Sequence, residues 1–133
     1  MDGRLLNIPE SVSLALHALK IILRDGGKLS SAEISRRSGL SPNHLSKVLR
    51  RLVVGGILSA SKGPGGGFFI SENQKRHKLM DVYLLFESPP LDNGCIYEES
   101  LCDKKKCVFG GLICEVNKKF FRHFEHTKIG DLL

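Results

Sequence analysis

The stretch from Leu40 to Ile70, LSPNHLSKVLRRLVVGGILSASKGPGGGFFI, reads as a helix followed by a tight two-stranded hairpin, and that reading decides the fold. Ser41 is suited to cap the helix and Pro42 to occupy its first turn, where a missing N–H costs nothing. Leu45, Val48, Leu49, Leu52 and Val53 fall at helical spacing on one side, leaving Asn43, His44, Ser46, Lys47, Arg50 and Arg51 mostly on the other. Gly55-Gly56 stops the helix, and Ile57 to Lys62 and Phe68 to Ile70 read as two short strands around Gly63-Pro64-Gly65-Gly66-Gly67. Such a turn carries little side-chain bulk. Gly63, Gly65 and Gly66 can therefore bring backbone N–H groups, and Lys62 its ammonium, close to a phosphate chain or into a groove.

Upstream, Ile8 to Arg24 reads as a first helix with Ile8, Val12, Ala15, Leu16, Leu19, Ile22 and Leu23 on its apolar face. Ser13, His17, Lys20 and Arg24 share the opposite face. Ser30-Ser31-Ala32-Glu33 has the form of a capping box opening a short helix through about Ser38, and Gly39 suits a left-handed C-cap. Two short helices joined by the turn Gly39-Leu40-Ser41-Pro42 form a helix-turn-helix signature, which the first helix and the wing complete as a winged version. A generic three-helix core is the alternative reading of the same pattern.

Charge supports a nucleic-acid partner. Of the net +6, residues 1–70 hold ten Lys/Arg against four Asp/Glu, whereas residues 71–133 hold ten against ten. The whole excess lies with the helix and wing, as a polyanion partner requires, although a generally basic solvated surface has the same composition. Asn43, His44, Ser46 and Lys47 lie toward the exposed N-terminal part of the recognition helix and can reach base edges. Ser41 adjoins them, and Arg50, Arg51 and Lys62 suit phosphates or a groove. No hydrolase elbow, metalloprotease motif or complete phosphate-binding loop is present, so the chain does not read as an enzyme. Neither an export signal nor a membrane span is indicated, and a cytoplasmic protein is expected.

Past the wing, Glu72 to Lys78 reads as a polar linker, and Leu79 to Phe86 as a short helix ending near Ser88-Pro89-Pro90. Cys95, Cys102, Cys107 and Cys114 lie within twenty residues, a clustering that points to metal or redox chemistry more than to disulfides in a cytosolic protein. From about Gly111 to His126 a last helix sets Leu112, Ile113, Val116, Phe120 and Phe124 along one side. So large an apolar stripe suggests helix-to-helix pairing in a symmetric dimer; folding back on the first domain is the alternative. The organisation expected is mainly α: a winged helix-turn-helix domain over 1–72, a linker and short helix over 73–90, a cysteine loop over 91–110, and a dimerisation helix with its C-terminal segment over 111–133.

These residues resemble the IscR/NsrR-type winged-helix regulators, the Rrf2 family of bacterial transcription factors. The resemblance rests on the LALHAL-type first helix, GLSPNHLSKVLRRL, the KGPGGGF wing, the cysteine loop and the closing IGDLL, and so covers nearly the whole chain. It implies a homodimer that binds a dyad-symmetric DNA operator under the control of an iron–sulfur cluster, 2Fe–2S or 4Fe–4S. Counting back from IGDLL implies Cys95, Cys102 and Cys107 as ligands; six and four residues separate them, a departure from the family's more even spacing. The histidine that one branch carries three residues after the third cysteine is Gly110 here. Other branches take the fourth ligand from the partner's first helix, where Ser13 and His17 stand, and Cys114 is a further candidate. Lys62 takes the basic position before the wing glycines, where an arginine is common, and loses its bidentate geometry.

Soft, anionic thiolates match iron and balance cluster charge. Zinc or a thiol switch is the rival use of the same cysteines, although only the Cys102–Cys107 gap approaches zinc-like spacing. Lys104, Lys105 and Lys106 among them can lower thiol pKa values or simply solvate the loop. An electron-carrying iron–sulfur protein, from a different class, would need no basic wing.

Overall fold

The computed structural model describes residues 8–88 and 106–133. Helix α1 (Glu10–Asp25) turns Val12, Ala15, Ala18, Leu19, Ile22 and Leu23 inward and stops at Gly26, whose N–H donates to the Ile22 carbonyl. It starts two residues later than its periodicity suggests, because Pro9 takes the N-cap position in an extended conformation and leaves Ile8 exposed. Helix α2 (Ser31–Ser38) is capped by Ser30, whose hydroxyl accepts the Glu33 N–H at 3.1 Å. The reciprocal half of the expected capping box is replaced: the Glu33 carboxylate accepts from Arg36 and Arg37.

Helix α3 (Pro42–Val54) buries Leu45, Val48, Leu49 and Leu52. Ser41 occupies its N-cap position but makes no side-chain cap bond. Beyond Gly55, strands β1 (Ser59–Ser61) and β2 (Gly67–Phe69) pair antiparallel, with Ser59 opposite Phe69 and Ser61 opposite Gly67. The first strand is shorter than expected. Ile57 and Leu58 turn into the core and donate both N–H groups to the Leu52 carbonyl, so they continue the helix end instead of the ladder. Leu29 supplies a further rung, exchanging both backbone bonds with Phe68 at 3.0 and 2.7 Å. Only glycine fits beside it: a Cβ on Gly67 would lie 2.6 Å from the Leu29 carbonyl oxygen.

Helix α4 (Leu79–Phe86) buries Val82 in the core beneath α1, and α2 and α3 pack against α1 as well. Helix α5 (Leu112–His126) follows and closes on a short 3-10 turn, Ile129–Leu132. This end returns to the first domain. Ile129 is fully buried and donates its N–H to the His77 carbonyl, and Leu79 donates to the Thr127 carbonyl. Phe124 packs with Val12, Leu79 and Met80, and Tyr83 stands edge-on to Phe120 and Phe124. Thus the C-terminal half of the apolar stripe is covered by its own chain. Its N-terminal end is not: Leu112 is 57% and Val108 89% exposed. The architecture is a mainly helical winged helix-turn-helix fold, with five α-helices and a two-stranded hairpin among the described residues.

Candidate functional site

The turn into α3 is fixed before any ligand arrives. The Ser35 hydroxyl donates to the Leu40 carbonyl at 2.7 Å, and the Leu40 N–H donates to the Ser38 hydroxyl at 3.1 Å. With four apolar residues of α3 anchored, Ser41, Asn43, His44, Ser46, Lys47 and Arg50 are all left exposed. Lys62, Gly63 and Gly65 are exposed at the tip of the hairpin. Lys47, Arg50 and Lys62 form no ion pair among the described residues, and their charges remain available to an anion. By contrast Arg36 and Arg37 are committed to Glu33, and Arg37 also to Asp25. The Arg36 and Arg37 guanidiniums hold the Glu33 carboxyl down at about 2.

Two residues differ from the face drawn by periodicity. Gly66 is half-buried and its N–H donates to the Gly63 carbonyl, so it shapes the turn and has no donor to offer a phosphate. Arg51 stays exposed but is tied to another helix: its Nε–H donates to the Leu85 carbonyl of α4 at 2.9 Å. Gln74 joins the machinery unannounced. Lying in a 3-10 turn (Gln74–Arg76) inside the supposed linker, it accepts from the Ser59 hydroxyl and the Ser71 N–H and donates to the Gly56 carbonyl. It thereby pins the hairpin to the end of α3. Its only signal in the sequence is a lone amide in a polar run, which no pattern distinguishes from solvated surface.

Of the cysteines, Cys95 and Cys102 lie outside the described residues, while Cys107 is exposed and Cys114 half-buried on the first turn of α5. Cys107 precedes two consecutive left-handed glycines, Gly110 and Gly111, at the α5 N-terminus. The N–H groups of Gly111, Phe109 and Gly110 lower the Cys107 pKa, Gly111 contributing most. Such donors stabilise sulfur in its anionic form, whether that charge goes to a metal or to a reactive thiolate.

His17 is exposed on α1, as expected, and its Nδ1–H donates to the Ser13 carbonyl at 2.6 Å. A carbonyl can only accept, so Nδ1 carries a proton, and in the neutral ring Nε2 is the nitrogen with a lone pair for a ligand. His17 stands with Lys20 and Arg24 on a groove of about 430 Å3 that Leu14, Ile21 and Leu40 also line. Among the described residues no three His, Cys, Asp or Glu side chains gather as a metal site. No helix among them is long and apolar enough to cross a membrane.

The family profile Rrf2, described as an iron-dependent transcriptional regulator, matches residues 8–133. The HTH-type regulator BadM of Rhodopseudomonas palustris is 35% identical over 88 residues, 65% of this chain and 56% of that protein's length. The chain thus spans little more than half of that relative. IscR of Escherichia coli is 22% identical over 109 residues, 82% of this chain and 67% of its own. Among solved structures, CymR, the global cysteine regulator of B. subtilis, superposes with a TM-score of 0.75 at 18% identity, covering 96% of both chains. IscR of T. potens gives 0.69 at 17% identity, covering 96% of this chain and 85% of that one. At such identities the superpositions speak for the fold.

Proposed function

The chain belongs to the Rrf2 family of transcriptional regulators, and on that premise we propose that it is a homodimeric DNA-binding regulator whose operator affinity is controlled by an iron–sulfur cluster. Cys95, Cys102 and Cys107 supply three ligands, and His17 of the other subunit the fourth. The observation that carries this reading is the exposed Cys107 just before the α5 N-terminus in a chain with three further cysteines within twenty residues; neighbouring backbone N–H groups lower its pKa, which favours the deprotonated sulfur that iron needs. His17 has the proton arrangement of a metal-ligating imidazole, one ring nitrogen bonded to a carbonyl and the other free. When bound, the cluster supplies one-electron redox chemistry and reactivity toward oxidants or nitric oxide.

The residues of the chain do the rest. Asn43, His44, Ser46 and Lys47 read base edges in the major groove of a dyad-symmetric operator, next to Ser41, while Arg50, Lys62 and the wing backbone at Gly63 and Gly65 hold phosphates. The exposed Val108 and Leu112, beside Cys107, bring the cysteine site to the second copy. A second reading rests on the same lowering of the Cys107 pKa and on its exposure: a cluster-free regulator whose cysteine responds to oxidants or thiols.

Iron and acid-labile sulfide analysis of protein purified without oxygen separates the two. Iron with sulfide, lost in Cys95→Ala, Cys102→Ala and Cys107→Ala, is expected. Stoichiometric zinc without sulfide, from iron-replete cells, refutes the cluster. His17→Ala beside Cys114→Ala then assigns the fourth ligand: a native spectrum and potential in the first, with loss in the second, transfers the role to Cys114.

A further inference from the structure

The C-terminal ends of α3 and α4 meet in a contact that DNA binding alone does not require. Arg51 reaches from the recognition helix to the Leu85 carbonyl at 2.9 Å. That carbonyl lies in the last turn of α4, and the residue four positions on, whose N–H would serve it in a continuing helix, is Pro89, which has none. A guanidinium at this point also meets the negative end of the α4 dipole. The same Leu85 closes over α3 with its side chain. A Cβ added at Gly55, one turn after Arg51, would lie 2.6 and 2.7 Å from the two Leu85 methyls. Leu85 is therefore held at two points by the end of the recognition helix: its carbonyl by Arg51 and its side chain by the bare backbone of Gly55. Among the described residues, α4 is the last helix before Cys95 in sequence.

We propose that Arg51 is a positioning residue which locks the recognition helix to the end of α4, so that a change in the cysteine segment shifts the DNA-reading face through Leu85. The coupling half of this statement rests on the sensor reading given above. Arg51 makes no phosphate contact, in contrast to its neighbour Arg50. Both adjacent arginines are exposed, and what gives them different tasks is that Arg51 alone spans to a carbonyl 34 residues away.

The test uses full-length protein and the tightest-binding duplex that the wild type selects from a randomised pool. Affinity is measured against salt, with and without an iron–sulfur cluster reconstituted on the cysteines. Arg50→Ala is expected to lower the salt slope by about one phosphate contact, whereas Arg51→Ala leaves the slope unchanged and weakens binding roughly fivefold. Arg51→Lys, which keeps a cationic donor, regains part of that affinity. Gly55→Ala perturbs the same clamp from its other side. Gly55 has right-handed backbone angles that alanine accepts; the closest obstructing atoms are the Leu85 methyls, which can rotate, and the Arg51 carbonyl oxygen at 3.2 Å needs to give by only a few tenths of an ångström, so this variant folds. In both Arg51→Ala and Gly55→Ala the ratio of affinities between the loaded and cluster-free proteins falls toward one. A slope lowered in Arg51→Ala as in Arg50→Ala overturns the proposal, and so does a wild-type ratio retained in both clamp variants. If wild type itself shows no ratio, the sensor reading has failed and the coupling with it; the salt slope then still decides whether Arg51 positions the helix or binds phosphate.

Discussion

Helices α3 and α5 are both amphipathic, but they complete their packing in different ways. Leu45, Leu49 and Leu52 of α3 are fully buried by the same chain, and what α3 leaves outside is polar and cationic except at its last residue, Val54, which is exposed. On α5 only Phe124 is buried, and at the end nearest Cys107 Leu112, with Val108 just before the helix, is left to solvent. Exposure therefore has two meanings in this molecule. A polar face standing on a finished core is ready for a soluble polyanion, whereas an apolar face on an unfinished one calls for another protein surface.

The largest effects separate these meanings with one substitution in two places. Leu49→Ala is expected to cost about 2–5 kcal/mol in denaturant unfolding, as removal of a buried leucine does. Ile129→Ala, fully buried by the returning C-terminal turn, should fall in the same range of about 2–5 kcal/mol, because that turn belongs to the same core. Leu112→Ala, at 57% exposure, should change unfolding of dilute protein by no more than about 0.5 kcal/mol while weakening self-association in sedimentation. An equal cost at Leu112 and Leu49 would erase the distinction.

Next in size is DNA binding. Arg50→Ala and Lys62→Ala should each reduce affinity and flatten the dependence of log K on log salt by about one phosphate. Unchanged slopes in both would remove the cationic face from the binding surface. On the other side of the comparison, alkylation of cluster-free protein should proceed faster at Cys107 than at Cys114, and should continue to a lower pH than for an ordinary thiol. The reason is that the Gly111, Phe109 and Gly110 N–H groups lower the Cys107 pKa.

The smallest effect concerns Glu33. With its carboxyl lowered from 4.5 to about 2 by Arg36 and Arg37, the group binds fewer protons folded than unfolded. Its contribution is therefore present above about 4.5 and is lost as pH falls through about 2. Because the carboxylate is on the surface, Glu33→Gln should remove only a slight acid-dependent part of the melting temperature.

Much of this organisation is legible in the chain. Helical spacing identifies the buried face of α3, glycine pairs mark where helices stop, and Gly63 to Gly67 announce the hairpin. What escapes is whatever depends on a single long-range partner. Leu29 adds its rung through two backbone bonds that carry no residue signature. Arg51 sits on the polar side of the helical wheel, yet its long side chain reaches a carbonyl in another helix. The burial of Ile129 follows from the return of the chain past His77, and no local periodicity encodes that return. The cysteine cluster is plain in the sequence, while Cys95 and Cys102 lie outside the described residues.

The most direct test of cluster-controlled DNA recognition is operator affinity in one anaerobic preparation, measured before and after the cluster is removed by chelation. A difference of about 5–150-fold, the usual range of coupling between two sites, is expected, and it should vanish in Cys107→Ala. Equal affinities for loaded and cluster-free protein, with iron and sulfide verified in the first, would contradict the account.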